Sequence, residues 1–268
     1  MRRVKQALRR DLKCALVALD GEAPLHDGAV HKARKALKRA RAMLRLMRGE
    51  IGDRGYRRAN LRLRDAARPL SRLRDAVVLL DVIAKLRADD KDAELASLEE
   101  ELHREREAAR REIAERPAPL RRIRRSIESV LSASRPWRAP SGAKLECSVA
   151  RLYRKGRKAF ALADSDRCDE TLHEARKQSK YLGKALDTIA GPRARSVQRA
   201  KAVSDALGDD HDLAVLAKKL AGTRQHGRTE RALLAHLGHR RRKLQRKASK
   251  RGRRLYRRKA KSFARAES

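Results

Sequence analysis

Two stretches of the chain repeat one pattern of apolar and polar positions. In residues 28–48 the apolar positions recur every three or four residues, the spacing of a helix that buries one face. They are Val30, Ala33, Leu37, Ala40, Leu44 and Met47. Residues 168–190 repeat the spacing with Leu172, Ala175, Ser179, Leu182, Leu186 and Ile189. Each stretch is therefore predicted to be an amphipathic helix that packs against a core.

Beside the apolar stripe, each of these helices carries a histidine followed by a row of cations. The first row is His31, Arg34, Lys35, Lys38, Arg41 and Arg45. The second row is His173, Arg176, Lys177, Lys180 and Lys184. A shift of 142 positions superimposes the two histidines and the three cations that follow each of them. Like charges one helical turn apart repel each other, so we expect something anionic to offset the cost.

The same repetition extends to the organisation of the whole chain. Proline-containing segments separate two predicted four-helix units, residues 1–116 and 143–262, within a single domain of residues 1–268. The linker, residues 117–142, contains a predicted short helix at 120–131, and residues 263–268 form a tail. The predicted helices of the first unit are 2–20, 28–48, 54–87 and 91–115, and those of the second are 143–163, 168–190, 193–221 and 226–262.

The third and fourth helices of the two units also match. A shift of 137 positions places Asp75 on Asp212 and Arg64 on Lys201, and a similar one places Arg104 on Arg240 and His103 on His239. The two recurring aspartates predict buried pairing with a basic residue of the row. Pro69 is predicted to kink the third helix of the first unit. Since no acidic residue occurs from Arg231 to Ala266, the last helix is predicted to be solvated or to end in a partly ordered basic tail.

Composition narrows the class of protein. The 268 residues are 41% hydrophobic but only 3% aromatic, which favours an all-α fold over a β-sheet. The formal net charge of +37 predicts a polyanionic partner. No apolar run is long enough for a membrane span, and the chain begins with a charged amphipathic helix and has three cysteines in no recognised motif. We therefore expect a cytoplasmic protein with no membrane partner.

These features together resemble the CHAD domain, the conserved-histidine α-helical domain. The resemblance is carried by the paired histidine helices at His31 and His173 and by the motifs that end at Leu79 and Leu216. It implies two four-helix bundles related by a pseudo-twofold axis, with basic faces that line a central cleft or pore. It further implies binding of inorganic polyphosphate and association with polyphosphate granules, with no catalysis by the domain. Separately, no cofactor or metal is expected.

This sequence departs from the family pattern in two respects. Gly183 stands where the first row has Arg41, and Asp187 stands where it has Arg45, so the second row is expected to be shorter. Many family members carry an upstream triphosphate-tunnel domain with a Glu-x-Glu-x-Lys signature. No such signature is present, and a stand-alone copy is expected.

A linear polyphosphate suits such rows because its units carry charge without bases, so its binder needs dense cations and little else. The predicted polyphosphate-binding residues are His31, Arg34, Lys35, Lys38, Arg41, Arg45, Arg64, Arg104, His173, Arg176, Lys177, Lys180, Lys184, Lys201, His239 and Arg240. If the two histidines border the anion, bound ligand should favour their protonated forms.

Two alternatives remain open. Nonspecific nucleic-acid binding would use the same charge, although the chain has few aromatic residues for stacking and no recognised DNA-binding or RNA-binding motif. An enzyme or metal protein is the other class, since His236 and His239 share a helix face and residues 209–212 read Asp-Asp-His-Asp. Neither motif has a third ligand at a recognisable spacing, and nearby arginines would oppose a cation, so structural roles are favoured.

Overall fold

The structure is a computed structural model that describes residues 2–20, 26–87, 93–115, 117–222 and 228–267. Within these ranges it consists of eleven α-helices and contains no strand, which confirms the predicted all-α class. The helices are α1 (Arg2–Ala18), α2 (Asp27–Leu46), α3 (Arg48–Ala67), α4 (Pro69–Arg87), α5 (Ala93–Glu115), α6 (Pro117–Ala133), α7 (Gly142–Ser165), α8 (Asp169–Ala190), α9 (Arg195–Ala221), α10 (Arg228–Leu255) and α11 (Ala260–Glu267).

Two hydrophobic cores hold these helices together. The larger core is built around α2 and α8 and takes in α1, α3, the start of α4, α6, α7, the first half of α9, the second half of α10 and α11. The smaller core joins α4 and α5 to the second half of α9 and the first half of α10. Each core therefore draws residues from both predicted halves of the chain. The internal duplication stays a prediction.

The two histidine helices lie at the centre of the larger core. Helix α2 packs against α1, α3 and α8, and α8 packs against α7 and α9. The predicted apolar stripe of α2 is buried, with Ala33, Leu37 and Ala40 fully inaccessible to solvent. Since one face of each helix is fixed in the core, the neighbouring basic face has a defined direction.

The predicted third helix, residues 54–87, is two helices in the structure. Helix α3 begins earlier, at Arg48, with a bend at Gly52 (φ 68°), and α4 starts at Pro69. Proline lacks an N–H and its ring clashes with the preceding turn, so the chain cannot continue the α3 hydrogen-bond ladder through this position. Arg68 keeps helical backbone angles, and the predicted kink is a junction between two consecutive helices.

As predicted, the basic helix α10 exposes most of its described cations to solvent, but the partly ordered tail predicted after it is wrong. Leu255, Tyr256 and Phe263 are buried, and residues 260–267 form α11, which packs on α7. The Phe263 ring stacks on Tyr153 with centroids 4.0 Å apart. The break between α10 and α11 separates Tyr256 from Phe263. The spacing of these two buried aromatic residues therefore does not follow the period of a single helix. The linker helix expected at 120–131 is part of α6, which packs on α1 and α3.

The helix predicted at 226–262 ends at Leu255, and α11 begins at Ala260. The remaining helix boundaries agree to within a few residues, and the predicted starts at 91 and 226 lie outside the described residues. None of the helices in the described ranges has the length and apolar character that crossing a membrane requires.

Candidate anion-binding site

The basic rows of α2 and α8 meet where the two helices pack. Lys38, in the middle of the first row, lies within electrostatic range of Arg34 on its own helix and of three cations on α8. Lys184 on α8 is in turn close to Lys35 on α2. We call this group the central basic cluster, and its members are Arg34, Lys35, Lys38, Arg176, Lys180 and Lys184.

Burial and mutual repulsion make the ammonium groups of the cluster reluctant to ionise. Burial, followed by repulsion from Arg34 and the α8 cations, lowers the pKa of Lys38 to about 7. Burial, followed by repulsion from Lys180, Arg39 and Lys35, lowers the pKa of Lys184 to about 8. Burial and repulsion from Arg176 and Arg34 also lower the pKa of Lys180. Near neutral pH the free protein therefore holds Lys38 in a mixture of charged and neutral forms, and an anion placed here would favour the charged form.

Each arginine of the cluster is oriented by an aspartate from a neighbouring helix. Arg34 lies 3.8 Å from Asp75 on α4, and its guanidinium donates to the carbonyl of Leu70 at 2.8 Å. Arg176 lies 3.8 Å from Asp212 on α9. The two aspartates predicted to pair with the rows thus do so. Buried pairing is wrong for Asp75, however, whose side chain is 68% exposed, whereas that of Asp212 is 25% exposed.

A glycine makes room for the second of these pairs. The Arg176 guanidinium lies over Gly208 on α9, so that a Cβ at this position would be 3.5 Å from its nitrogens. The Asp212 carboxyl has a raised pKa, because its burial outweighs the attraction of Arg176 and because other carboxylates, including Asp75, lie close by. The site is therefore a basic row with two carboxylates at its margin.

The two predicted histidines are exposed near the N-terminal ends of the rows. The ring of His173 lies 4.8 Å from that of His211 on α9, measured between centroids. Partial burial lowers the pKa of His173, with Arg176 and Lys177 contributing, and burial beside Arg176 and His173 lowers that of His211 to about 4. His211 was not among the predicted site residues.

The C-terminal part of the first row is used for packing against α8. The guanidinium of Arg45 lies 3.5 Å from the centroid of the Tyr181 ring, and that of Arg41 lies 5.8 Å from it. Arg41 also donates to the side-chain oxygen of Asn60 at 3.1 Å. Gly183, at the position matching Arg41, packs against Ala200 on α9, so the second row carries no cation there.

The remaining predicted residues lie in different places. Lys177 is exposed and pairs with Glu174 one turn away. Lys201 donates to Asp205 at 2.8 Å, and Asp205 is itself close enough to Lys180 to offset part of the lowering of its pKa. Arg64 is exposed and paired with Asp65 at 2.9 Å, near Arg41. Three others lie on helices that contribute to the smaller core: Arg104 on α5, and His239 and Arg240 on α10. Both helices reach the first residues of the histidine helices, since Arg106 pairs with Asp27 and Arg241 with Asp169.

The Asp-Asp-His-Asp run does not converge on one point. Asp210 is buried and accepts hydrogen bonds from Arg241 at 3.1 Å and from Gln245 at 3.0 Å. Asp212 pairs with Arg176 and His211 faces His173, whereas Asp209 is exposed. Across the described residues, no group of three or more histidine, cysteine, aspartate or glutamate side chains is placed to hold a metal ion.

One buried ion pair next to the cluster could not be found from the pattern of the rows. Asp11 on α1 is almost inaccessible and accepts from Arg39 at 2.8 Å. Burial raises the pKa of Asp11, while Arg39 and, more weakly, Lys184 oppose that rise. In the sequence, this pair was indicated only by the presence of a polar residue, Asp11, on the apolar face of α1.

Fold and site together define a helical protein that presents two facing basic rows. A family model described as the CHAD domain matches residues 6–221, and the chain belongs to this family. Among solved structures it is similar to PptA from Streptomyces chartreusis, with 15% identity, 96% of this chain and 97% of that chain covered, and a TM-score of 0.65. It is also similar to the CHAD domain from the plant Ricinus communis, with 18% identity, 98% and 91% covered, and a TM-score of 0.59. No curated protein matches the sequence.

Proposed function

We propose that the protein binds inorganic polyphosphate along the central basic cluster and serves as a binding module rather than an enzyme. The observation that carries this proposal is the meeting of the α2 and α8 rows, where Lys38 is held among four other cations with its pKa lowered to about 7. A linear polyanion laid along the rows would relieve this repulsion. It would also supply the oxygen acceptors that guanidinium and ammonium groups require.

The two carboxylates beside the cluster support binding over catalysis. Asp75 and Asp212 are paired with Arg34 and Arg176, so they serve to orient cations. In this proposal the protein holds the chain of phosphates without cleaving it, and the same contacts attach the protein to polyphosphate granules.

The positions of the aromatic side chains favour polyphosphate over single-stranded nucleic acid. All seven Phe, Tyr and Trp residues lie in the described ranges, and none is exposed. Tyr153, Phe160, Tyr256 and Phe263 pack together between α7, α10 and α11, and Tyr181 is covered by Arg45. Stacking on exposed aromatic rings is a major source of affinity for single strands, and this surface does not provide it. Duplex DNA, bound through its phosphates alone, is the second candidate.

The experiment is a competition between long-chain polyphosphate and duplex DNA of equal charge concentration at about 0.15 M salt, where diffuse surface attraction is screened beyond roughly 8 Å. Polyphosphate is expected to displace the DNA. Two variants, Lys35→Gln with Lys38→Gln and Lys180→Gln with Lys184→Gln, each remove two cations from one row. The matched control, Arg57→Gln with Arg58→Gln, removes two exposed cations from α3.

Each row variant should weaken polyphosphate binding by about tenfold or more and lower the slope of log affinity against log salt by about 1.4, the value for two lost phosphate contacts on a single strand. The control should change neither quantity by a comparable amount. Incubation with the protein should leave the length of the polyphosphate unchanged on a gel. DNA binding equal to or tighter than polyphosphate binding, or row variants that match the control, would overturn the proposal.

A further inference from the structure

A basic cavity lies where the start of α9 meets the turn between α10 and α11. Its volume is about 260 Å³. Five arginines line it, two from the first turns of α9 and three from the end of α10 and the turn that follows: Arg195, Arg199, Arg254, Arg257 and Arg258. This number of guanidinium groups around one cavity favours a phosphate-type anion, whose oxygens they can bind in pairs.

This cavity is separate from the central basic cluster. None of the residues that line the cavity belongs to the central basic cluster. The cavity and the cluster are neighbours on α9, since Ala200, next to Arg199, packs on Gly183, next to Lys184. Three of the five arginines also follow residue 221, where the match to the family model ends. The cavity is thus a distinct feature of the molecule, and it does not depend on polyphosphate binding by the rows.

The walls of the cavity are held in place by buried contacts. The Tyr153 hydroxyl donates to the carbonyl of Leu255 at 3.0 Å and accepts from the backbone N–H of Arg258 at 3.1 Å, which fixes the turn that carries Arg257 and Arg258. Phe263, 3% exposed, forms part of the lining and stacks on Tyr153. The arginines therefore extend from a fixed backbone, which limits the ordering cost of binding.

The start of α9 adds a second source of positive potential. Its N-cap residue, Ala194, provides no side-chain cap, and its first turn has no acidic residue. The first N–H groups of a helix lack intrahelical acceptors and carry partial positive charge. Ser196, in this turn, lines the cavity and donates its hydroxyl to the Glu267 carboxylate at 2.6 Å.

Glu267 places an anion of the chain itself against this surface. It is the one carboxylate in the lining, against five arginines, so four positive charges remain without a counter-charge inside the cavity. We propose that this cavity binds a compact diphosphate-type anion in competition with the Glu267 carboxylate. A cavity of this volume holds roughly eight or nine water molecules. A diphosphate fits in this volume, whereas a nucleotide with its base fully enclosed does not.

The test is calorimetric titration with inorganic pyrophosphate in a protein that carries Lys180→Gln and Lys184→Gln, so that the central basic cluster contributes little. Arg199→Gln with Arg257→Gln should weaken pyrophosphate binding more than tenfold. The matched control, Arg193→Gln with Arg246→Gln, removes two exposed arginines from outside the cavity and should leave the affinity unchanged. Glu267→Gln keeps an oxygen acceptor for Ser196 but removes the charge, and should tighten binding about three- to fivefold.

Two results would overturn the proposal: an arginine double variant that binds as the control does, or Glu267→Gln that leaves the affinity unchanged or lowers it. Thermal unfolding followed by circular dichroism establishes that each variant is folded. If the arginine double variant is unfolded, the affinity of the Glu267→Gln variant alone decides the test. Because the central cluster is already weakened in every protein tested, failure here leaves polyphosphate binding by the rows unaffected, and the reverse also holds.

Discussion

Replacing Lys38 by arginine tests whether anion binding at the central basic cluster is coupled to protonation. In the free protein, burial and the neighbouring cations lower the pKa of Lys38 to about 7. A guanidinium at the same position stays charged at every pH used in a binding assay. The variant therefore keeps a cation for the ligand and removes its titration.

The size of the effect follows from the lowered pKa. At pH 8 an amine with a pKa of about 7 is neutral in about nine molecules of ten, and charging it costs about 1.4 kcal/mol. If the bound anion restores the usual lysine pKa, the affinity at pH 8 is about tenfold lower than at pH 6. Lys184, with a pKa of about 8, adds a further factor of about two. The parent should therefore lose about twentyfold in affinity between pH 6 and 8, and Lys38→Arg only about twofold.

The sign of the dependence is fixed by proton linkage. The complex holds more protons than the free protein, so affinity falls as pH rises through the free-state pKa of about 7 and levels off about one pH unit below it. Calorimetry at pH 7.5 in buffers of different ionisation enthalpy counts the protons directly. About one should be taken up by the parent and about a quarter of one by Lys38→Arg, given free-state pKa values of about 7 and 8.

Two further variants make the result specific. Lys32→Arg changes an exposed lysine on the same helix and should keep the slope of the parent. His173→Gln addresses the histidine hypothesis separately. The pKa of His173 is lowered from 6.5, so this histidine changes its charge at lower pH than Lys38 does. The His173→Gln variant should therefore keep the pH dependence of the affinity between pH 7 and 8. The terminal phosphates of the ligand also titrate, but their contribution to the pH dependence is the same for every variant and cancels when the variants are compared. A Lys38→Arg protein with the full slope of the parent would refute the assignment.

Two other predictions concern the margin of the site and the packing of the last helices. Asp75→Asn combined with Asp212→Asn removes the two carboxylates beside Arg34 and Arg176, and should tighten polyphosphate binding about threefold in a filter assay, whereas Asp187→Asn, an exposed change on α8, should not. A double variant that binds more weakly would contradict this prediction and mean that the orientation of the two arginines by the carboxylates outweighs their repulsion of the ligand. Gly252→Ala should lower stability by about 1–3 kcal/mol in denaturant unfolding, because its Cβ would lie 2.0 Å from the Phe160 ring. Gly238→Ala, with only the end of the Arg242 side chain nearby, is the control, and equal stability of the two variants would contradict the packing described.

The sequence was sufficient to predict the helical class and the two histidine helices, because each depends on spacing within one helix. The pairing of Asp75 and Asp212 with the rows was predicted because the two aspartates recur at matching places in the two halves of the chain. The sequence did not reveal His211 as the neighbour of His173, since that contact joins α8 to α9 across the core. The sequence also did not show that the cations of the first row have two different roles. Some of them lie near the cations of α8, whereas Arg41 and Arg45 cover Tyr181. The difference depends on which residue of the partner helix lies opposite, and the helical period carries no such information.

The charges of the central basic cluster lower the stability of the free protein, and the same charges would favour binding of an anion. Lys38 has a lower pKa in the folded protein than the value of about 10.4 for an unfolded chain, so folding releases protons and the stability of the free protein increases with pH between about 7 and 10.4. Below that window the protein folds with a charged, partly buried ammonium among like charges, and the cost reduces its stability. A polyanion that binds only the folded state removes this cost and adds its own binding energy. The cations that oppose folding most strongly are thus the ones from which a polyphosphate would gain most, which explains how a row of like charges can be kept at the centre of a packed helical protein.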